Sequence, residues 1–365
     1  MPQYWNREKF AADKTRSAQD SSNKSIVNEA RIVSLAMKDD PSNVPLENLP
    51  EGATVLAVGS TIDELDIPTL QQQKANVIFV SPGPSKETLA KLIQELDSSL
   101  EWIHSRSAGV DAIYTDTLAN TPATVTNAKG AFSSTLAEYT LLACSYFAKD
   151  LPHLLKNKGR KDWNKYNILE LRNATLGIVG YGDIGQAAAK LAKAYGMRVI
   201  ALRRNPEKTK DDPYCDVVYG NDQLNVLFGE SDYILCSAPL TAETKGMIGK
   251  EQFDAAKTNA VFINVGRGPI VDEEALVEAL KDGRLKGAGL DVFATEPLPK
   301  ESELWELDNV LLSPHNMDAT ETFMLESTNF LSMKIFLGSC TESFFLMRLT
   351  KRQATSASGL HAVSS

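Results

Sequence analysis

Thr175-Leu-Gly-Ile-Val-Gly-Tyr-Gly-Asp-Ile-Gly185 is a short apolar run that closes on three glycines spaced as Gly180-x-Gly182-x-x-Gly185. Gln186-Ala-Ala-Ala-Lys-Leu-Ala-Lys-Ala-Tyr195 follows at helical composition. Strand, glycine turn and helix in that order form the context in which three spaced glycines point to a dinucleotide site. One glycine makes the tight turn, one lets backbone approach a pyrophosphate, and one lets the helix pack on the strand. The helix N-terminus then presents unpaired N–H groups and partial positive charge to phosphate. Gly180, Tyr181, Gly182, Asp183, Ile184 and Gly185 are therefore the first candidate cofactor contacts.

Outward from this motif the chain alternates β-rich runs with helix-like segments. Before it lie Arg31–Ala36, Thr54–Val58, Asn76–Val80 and Leu100–His104, and this block ends near Pro122–Asn127. After Leu176–Val179 come Arg198–Leu202, Tyr233–Ser237, Ala260–Val265, Gly287–Val292 and Val310–Ser313. Such alternation predicts parallel strands joined by crossover helices. The fold class read is α/β with two doubly wound parallel-sheet domains. A Rossmann nucleotide domain (residues 128–315) is inserted into a flavodoxin-like substrate domain (residues 29–127 and 316–338). Residues 1–28 are polar and expected to be disordered, as is the Ser/Ala-rich end of the atypical 339–365 tail. A helix from about Thr320 to Leu337, with Gly338 at its C-cap, is expected to return to the first domain. A further helix over Ser133–Asp150 carries Leu136, Tyr139, Leu141, Leu142, Cys144, Tyr146 and Phe147 on nearly every face. That pattern calls for burial, between lobes or in a homodimer.

Composition narrows the function classes. At 365 residues the chain holds two ordinary domains, and 43% hydrophobic with 23% charged residues is the balance of a globular protein. A net charge of −9 argues against nucleic-acid or anionic-membrane partners. No run of about 18 apolar residues suggests a membrane span. The first 28 residues lack the apolar core of a secretory signal, so the cytoplasm is the expected compartment. Cys144, Cys215, Cys236 and Cys340 lack metal-ligand spacing and read as reduced thiols, with no metal site expected.

The second strand of the glycine block ends in Arg203-Arg204-Asn205. A NAD site usually places there an acid that accepts a bond from the ribose 2′-OH. Guanidiniums accept nothing, but suit a 2′-phosphate by forked donation. NADP(H) is favoured, with NAD(H) possible.

Three later motifs bring chemistry to strand ends, where ligands of open α/β sheets gather. Ile263-Asn-Val-Gly-Arg-Gly268 places Arg267 between glycines that let its backbone bend toward a ligand, Leu290-Asp-Val-Phe-Ala-Thr-Glu-Pro-Leu-Pro299 places Glu296 in a stiff loop, and Leu311-Leu-Ser-Pro-His-Asn316 places His315. A 2-keto acid needs a cation for its carboxylate, a proton for its carbonyl oxygen and a hydride. Arg267 can grip the carboxylate, His315 can give the proton with Glu296 orienting it, and a nicotinamide supplies the hydride.

In these motifs the chain resembles the D-isomer-specific 2-hydroxyacid dehydrogenase family from about residue 30 to 338. The resemblance implies Arg267 for substrate, Glu296 as partner and His315 as acid/base. It further implies that the Ser107-Ala-Gly-Val-Asp111 loop meets the substrate carboxylate, with Ser107, Ala108 and Gly109 as contacts. Asp291 would face the nicotinamide amide and the Ala238-Pro-Leu-Thr241 loop would border the cofactor, so that Ala238, Pro239, Thr244 and Val265 join the cofactor set. The implied activity is reduction of a small 2-keto acid, glyoxylate or hydroxypyruvate, with D-2-hydroxy acid oxidation in reverse. A NAD-linked phosphoglycerate-type dehydrogenase and a nucleotide-sensing, corepressor-like protein are the alternatives. His104 is expected to pack beside Trp102, and His153 and His361 to lie on the surface.

Overall fold

The computed structural model describes residues 29–49, 52–81 and 83–320. Two compact units divide the chain at Ala131/Phe132 and again at Thr320/Glu321.

The first unit is built on five parallel strands: β1 (Ala30–Leu35), β2 (Ala53–Gly59), β3 (Val77–Val80), β4 (Trp102–Ser105) and β5 (Thr124–Asn127). Their order is β2-β1-β3-β4-β5, a doubly wound sheet whose connections reverse direction between β1 and β3. Every residue of β3 and β4 is buried, which explains why these strands read as continuous apolar runs rather than alternations. On one face Leu89, Leu92, Ile93 and Leu96 of the Lys86–Leu96 helix join Val33, Leu35, Ile78 and Ile103. On the other, Ile32, Val77, Phe79 and Trp102 pack beneath Leu46. His104 is buried on this second face, edge-on to Trp102 and with Nδ1 2.7 Å from Thr126 Oγ1, as its expected packing role requires.

The second unit carries β6 (Thr175–Val179), β7 (Arg198–Leu202), β8 (Val217–Tyr219), β9 (Tyr233–Cys236), β10 (Ala260–Asn264), β11 (Leu285–Leu290) and β12 (Val310–Leu312). All are parallel, in the order β12-β11-β10-β9-β6-β7-β8. Read from the other edge this is 3-2-1-4-5-6-7, the Rossmann order, with the glycine-rich strand β6 at the reversal. Every strand but β8 was legible in the sequence. That one is a partly exposed edge strand of three residues, too short to show a period.

The Ser133–Ala148 helix is apolar all round because its own unit covers most of it. It packs against the Asp183–Ala194 helix and against β10 and β11. Gly287 and Gly289 of β11 make the close approach possible. A Cβ on Gly287 would lie 2.3 Å from a ring carbon of Phe147, and one on Gly289 3.0 Å from Ala143 Cβ. Leu142 remains exposed.

The unit boundaries fall four to five residues later than the motifs suggested, at 131/132 rather than 127/128 and after 320 rather than 315. The second shift has a local cause: the segment following His315 is bonded to Asp291 and Thr135 of the second unit. The expected 1–28 segment, most of the 320–337 helix and the 339–365 tail, with Cys340 and His361, lie outside the described residues. Among the described residues no helix is long and apolar enough to cross a membrane.

Candidate active site

The glycine turn is built by close contact. Gly180 has φ +92°, a conformation L side chains rarely adopt, and a Cβ there would sit 2.6 Å from the Ala238 backbone. The loop after β9 therefore rests directly on the turn, and Ser237 Oγ donates to Gly180 O at 2.8 Å. Gly182, the N-cap of the Asp183–Ala194 helix, faces open space, while Gly185 is wedged against Ile178 and Gly180 O. Only Gly182 thus leaves its backbone clear for a phosphate, the division of labour expected of the motif. The Tyr181 side chain is buried. Asp183 and Ile184 are half-buried in the first helical turn.

Beside the turn, Ala238 is buried and Pro239 exposed. Thr244 Oγ1 donates to Pro239 O at 2.6 Å and accepts from Thr241 N at 2.8 Å, which closes that loop on itself. Val265 is buried, its N–H bonded to Cys236 O at 3.1 Å. At the end of β7 the two arginines differ. Arg203 is half-buried and donates to the buried Thr209 hydroxyl at 2.7 Å. Arg204 projects into solvent, 3.6 Å from the equally exposed Glu243, a pairing of little energetic weight. Both fit a 2′-phosphate by charge, and only Arg203 is braced.

Of the expected triad, Glu296 and His315 are brought together within the second unit. His315 Nδ1 lies 2.7 Å from Glu296 Oε2. The other carboxylate oxygen, Oε1, accepts from Phe293 N at 2.9 Å, which fixes the plane of the group. A carboxylate only accepts, so Nδ1 carries the hydrogen. Arg267 follows β10 and is half-buried, with Nη1 donating to Gly266 O at 2.7 Å. Asp272 ends this loop by capping the Glu273–Lys281 helix through Ala275 N at 3.1 Å.

Gly268 serves the site differently from the expected bending of the Arg267 backbone. A Cβ there would lie 1.8 Å from the backbone carbonyl of Phe293 and 2.4 Å from Ala294 N. The Arg267 and Glu296 loops therefore cross with no room for a methyl group. Gly266 is similarly closed by Ala238 O at 2.8 Å.

Asp291 holds the histidine. Buried at the end of β11, it accepts from Ser313 Oγ at 2.8 Å, Asn316 N at 3.0 Å and Met317 N at 3.4 Å. Burial pushes its carboxyl up from the ordinary value, opposed by these donors. Thr135 Oγ1 ties the same turn to the Ser133–Ala148 helix through Met317 O at 2.9 Å. His315 itself has φ +50°, unusual for a residue with a side chain. Any contact of Asp291 with a nicotinamide amide would be added to this anchoring, which the sequence reading did not foresee. Ser313 and Thr135 were missed too, and no spacing could have marked them. Asp318 was also missed. Half-buried three residues after His315, it feels the charges of His315 and Arg267, while burial pushes its carboxyl up.

In the first unit, Ser107–Gly109 emerges after β4. Ser107 O accepts from Ala128 N at 3.2 Å and Ala108 O from Asn127 Nδ2 at 2.5 Å, which pins the loop to the end of β5. His153, expected on the surface, is half-buried, bonded within its helix to Asn157 and edge-on to Tyr166. Among the described residues no cluster of three or more His, Cys, Asp or Glu suits a metal ion.

Residues 141–316 match the family described as D-isomer specific 2-hydroxyacid dehydrogenase, NAD binding domain. A glyoxylate reductase of Thermococcus litoralis is 36% identical over 266 residues, covering 69% of this chain and 76% of the relative. A D-3-phosphoglycerate dehydrogenase of Methanocaldococcus jannaschii is 35% identical over 274 residues, 74% of this chain; the chain spans only 50% of that relative's length. Among solved structures, a D-isomer specific 2-hydroxyacid dehydrogenase from Xanthobacter autotrophicus, in complex with NADPH and MES, superposes with a TM-score of 0.72 at 25% identity, over 87% of this chain and 98% of its own.

Proposed function

The chain belongs to the D-isomer-specific 2-hydroxyacid dehydrogenase family, and on that premise we propose that it transfers a hydride between a nicotinamide dinucleotide, NADP(H) in preference to NAD(H), and a small 2-keto acid such as glyoxylate or hydroxypyruvate. The observation that carries this reading is the 2.7 Å His315–Glu296 pair, held in the same unit as Arg267 and the glycine turn. The open face of Gly182, the helix behind it and the braced Arg203 fit a dinucleotide carrying a 2′-phosphate. When bound, the nicotinamide supplies the hydride.

The protein's own part is to bind, orient and move one proton. Arg267 pairs with the substrate carboxylate and draws electron density from the adjacent carbonyl. The Ser107–Gly109 loop is the first unit's candidate for backbone contact with a substrate carboxylate. His315 Nε2 protonates the carbonyl oxygen as the hydride reaches the carbon, and Glu296 stabilises the charged imidazole at Nδ1. In reverse, Nε2 takes the hydroxyl proton of a D-2-hydroxy acid.

The test is loss of NADPH absorbance with a panel of glyoxylate, hydroxypyruvate, pyruvate and 3-phosphohydroxypyruvate, repeated with NADH. Best turnover of the phosphorylated acid with NADH would favour the phosphoglycerate-type reading. Tight NADPH binding without turnover of any acid would favour a sensor. His315→Ala is expected to abolish turnover and leave NADPH affinity nearly intact, and Arg203→Asp to reverse the cofactor preference; an unchanged preference would overturn NADP(H).

A cytoplasmic homodimer completes the proposal. Leu142, Leu154, Leu155, Ile168 and Leu169 are exposed within a short stretch of chain, as is Trp163 at 93%. Such a concentration of exposed apolar residues supports contact with a second copy. Light scattering that gives a monomer at micromolar concentration would rule it out.

A further inference from the structure

Arg106 is buried at the carboxyl end of β4, immediately before the Ser107–Gly109 loop. Its backbone N–H donates to Val80 O at 2.9 Å, continuing the β3–β4 pairing one step past the strands. Its side chain reaches further. Nη1 donates to Ser81 Oγ at 2.5 Å, at the end of β3, and Nη2 to Ser34 Oγ at 3.2 Å, on β1. The guanidinium carbon lies 5.4 Å from the centre of the Phe79 ring. Ser34 Oγ in turn donates to Asn43 Oδ1 at 2.9 Å, and Asn43 Nδ2 to Met37 O at 2.8 Å. One guanidinium thus ties together the carboxyl ends of β1, β3 and β4.

The place of this network in the sheet gives it meaning. The connections reverse between β1 and β3, and in a sheet of this order the crevice outside the carboxyl ends of those two strands is where a ligand is expected. Here Arg106 bridges that crevice from β4. Burying a cation is costly, and apolar residues of similar volume commonly stabilise a core as well or better. Burial pulls the guanidinium down to about 10, opposed by the charge of Asp40, so it stays charged at neutral pH. A long aliphatic side chain would fill the same space but could not fork to two hydroxyls.

We infer that Arg106 is a positioning residue for substrate: by joining the ends of β1, β3 and β4 it sets the backbone of Ser107, Ala108 and Gly109 in the geometry that receives a 2-keto acid's carboxylate. This rests on the role proposed for that loop. Arg106 touches neither cofactor nor reacting atoms in this scheme, so its removal reads out in substrate affinity. The proton transfer, carried by residues of the second unit, is left in place.

The experiment compares Arg106→Met, Arg106→Lys and Ser81→Ala with the parent chain. Readouts are KM and kcat for the best 2-keto acid, Kd for NADPH by fluorescence, and Kd for oxamate, a carboxylate-bearing mimic of a 2-keto acid, by calorimetry on NADPH-loaded protein. Arg106→Met is expected to raise KM and the oxamate Kd by about tenfold or more, with kcat within about threefold and the NADPH Kd unchanged. Arg106→Lys, which keeps charge but not the fork, should fall between, and Ser81→Ala should show a smaller rise in the same direction. Should Arg106→Met not fold, the other two decide. Folded variants with parental KM and oxamate Kd would overturn the inference, as would a loss of NADPH and oxamate affinity together. A parent chain that turns over no 2-keto acid but binds oxamate overturns the proposed function alone, and the oxamate series still decides the role of Arg106.

Discussion

Replacing Gly268 by alanine tests whether the crossing of two loops sets the reactive geometry. The added Cβ would start 1.8 Å from the Phe293 carbonyl, whereas ordinary contact begins at 3.4 Å, so the loops must part by about 1.6 Å (3.4 − 1.8). The obstacle is backbone on both sides, so no rotamer change relieves it. The loop that must move is itself held, through Phe293 N to Glu296 and Ala294 N to Glu273, both at 2.9 Å. Overpacking of this kind costs roughly 1–3 kcal/mol, which for a unit of this size lowers Tm by roughly 2–12 °C. Activity should suffer more, since a misplacement near 1 Å can cost about 100-fold in rate. We expect kcat/KM for the best 2-keto acid to fall about 100-fold, or about 2.7 kcal/mol of transition-state stabilisation. NADPH affinity should change little, because the turn at Gly180–Gly185 rests on Ala238 and Ile178 rather than on Phe293. Steady-state kinetics, calorimetry and NADPH fluorescence on one preparation make the measurement. A Gly268→Ala enzyme within twofold of the parent in kcat/KM would refute the reasoning.

Other outcomes follow from particular side chains. Asp291→Asn puts an amide N–H₂ against backbone donors of the His315 turn and should lower kcat about tenfold or more, with a stability loss of about 1–3 kcal/mol seen by calorimetry; an unchanged kcat would deny the anchoring role. Burial pushes the Tyr139 phenol up from 10.0 to about 12, so its neutral form contributes stability that is full below pH 10 and lost as pH rises through about 12, up to about 2–3 kcal/mol. Tyr139→Phe should flatten that alkaline decline in Tm. The Cys236 thiol is pushed up to about 12 and Cys215 to about 11, with Cys144 also raised by burial; site-resolved alkylation at pH 8 should leave Cys144 and Cys236 unmodified until denaturant is added. Gly159 sits exposed in the Leu151–Arg160 helix, where an added methyl would meet nothing within 4 Å, so Gly159→Ala should raise stability by about 0.5 kcal/mol, and a fall in Tm would count against the helix there.

The motifs of chemistry were legible because each occupies consecutive residues at a strand end. Gly180–Gly185 could be read from spacing between a strand and a helix, and Arg267, Glu296 and His315 from residue type at predicted strand ends and from the family resemblance. What joins them could not. Asp291 reaches Asn316 across 25 residues and Thr135 reaches Met317 across 182, and hydrogen bonds between distant segments leave no local pattern. Gly268 was visible as a flexible residue, but its crossing partner at Phe293 was not. The Ser133–Ala148 helix shows the same limit in another form. Apolar side chains all round it predicted burial correctly, yet the cover is largely its own unit, a distinction that depends on Gly287 and Gly289 in a strand far along the chain. Arg203 and Arg204 looked equivalent as neighbours, and only the fold separates the braced side chain from the solvated one.

The left-handed backbone at His315 carries a consequence for how this chain changes over generations. At φ +50° a residue with a Cβ gives up roughly 1–2 kcal/mol that glycine would not, and the turn is forced into that shape by Asp291 and Thr135 whatever side chain stands there. Selection for folding alone therefore pushes position 315 steadily toward glycine or asparagine. A descendant released from proton transfer should lose this histidine before it loses Glu296 or the glycine turn, whose conformations oppose no such pressure. Position 315 is thus where disuse of the proposed proton transfer would show first.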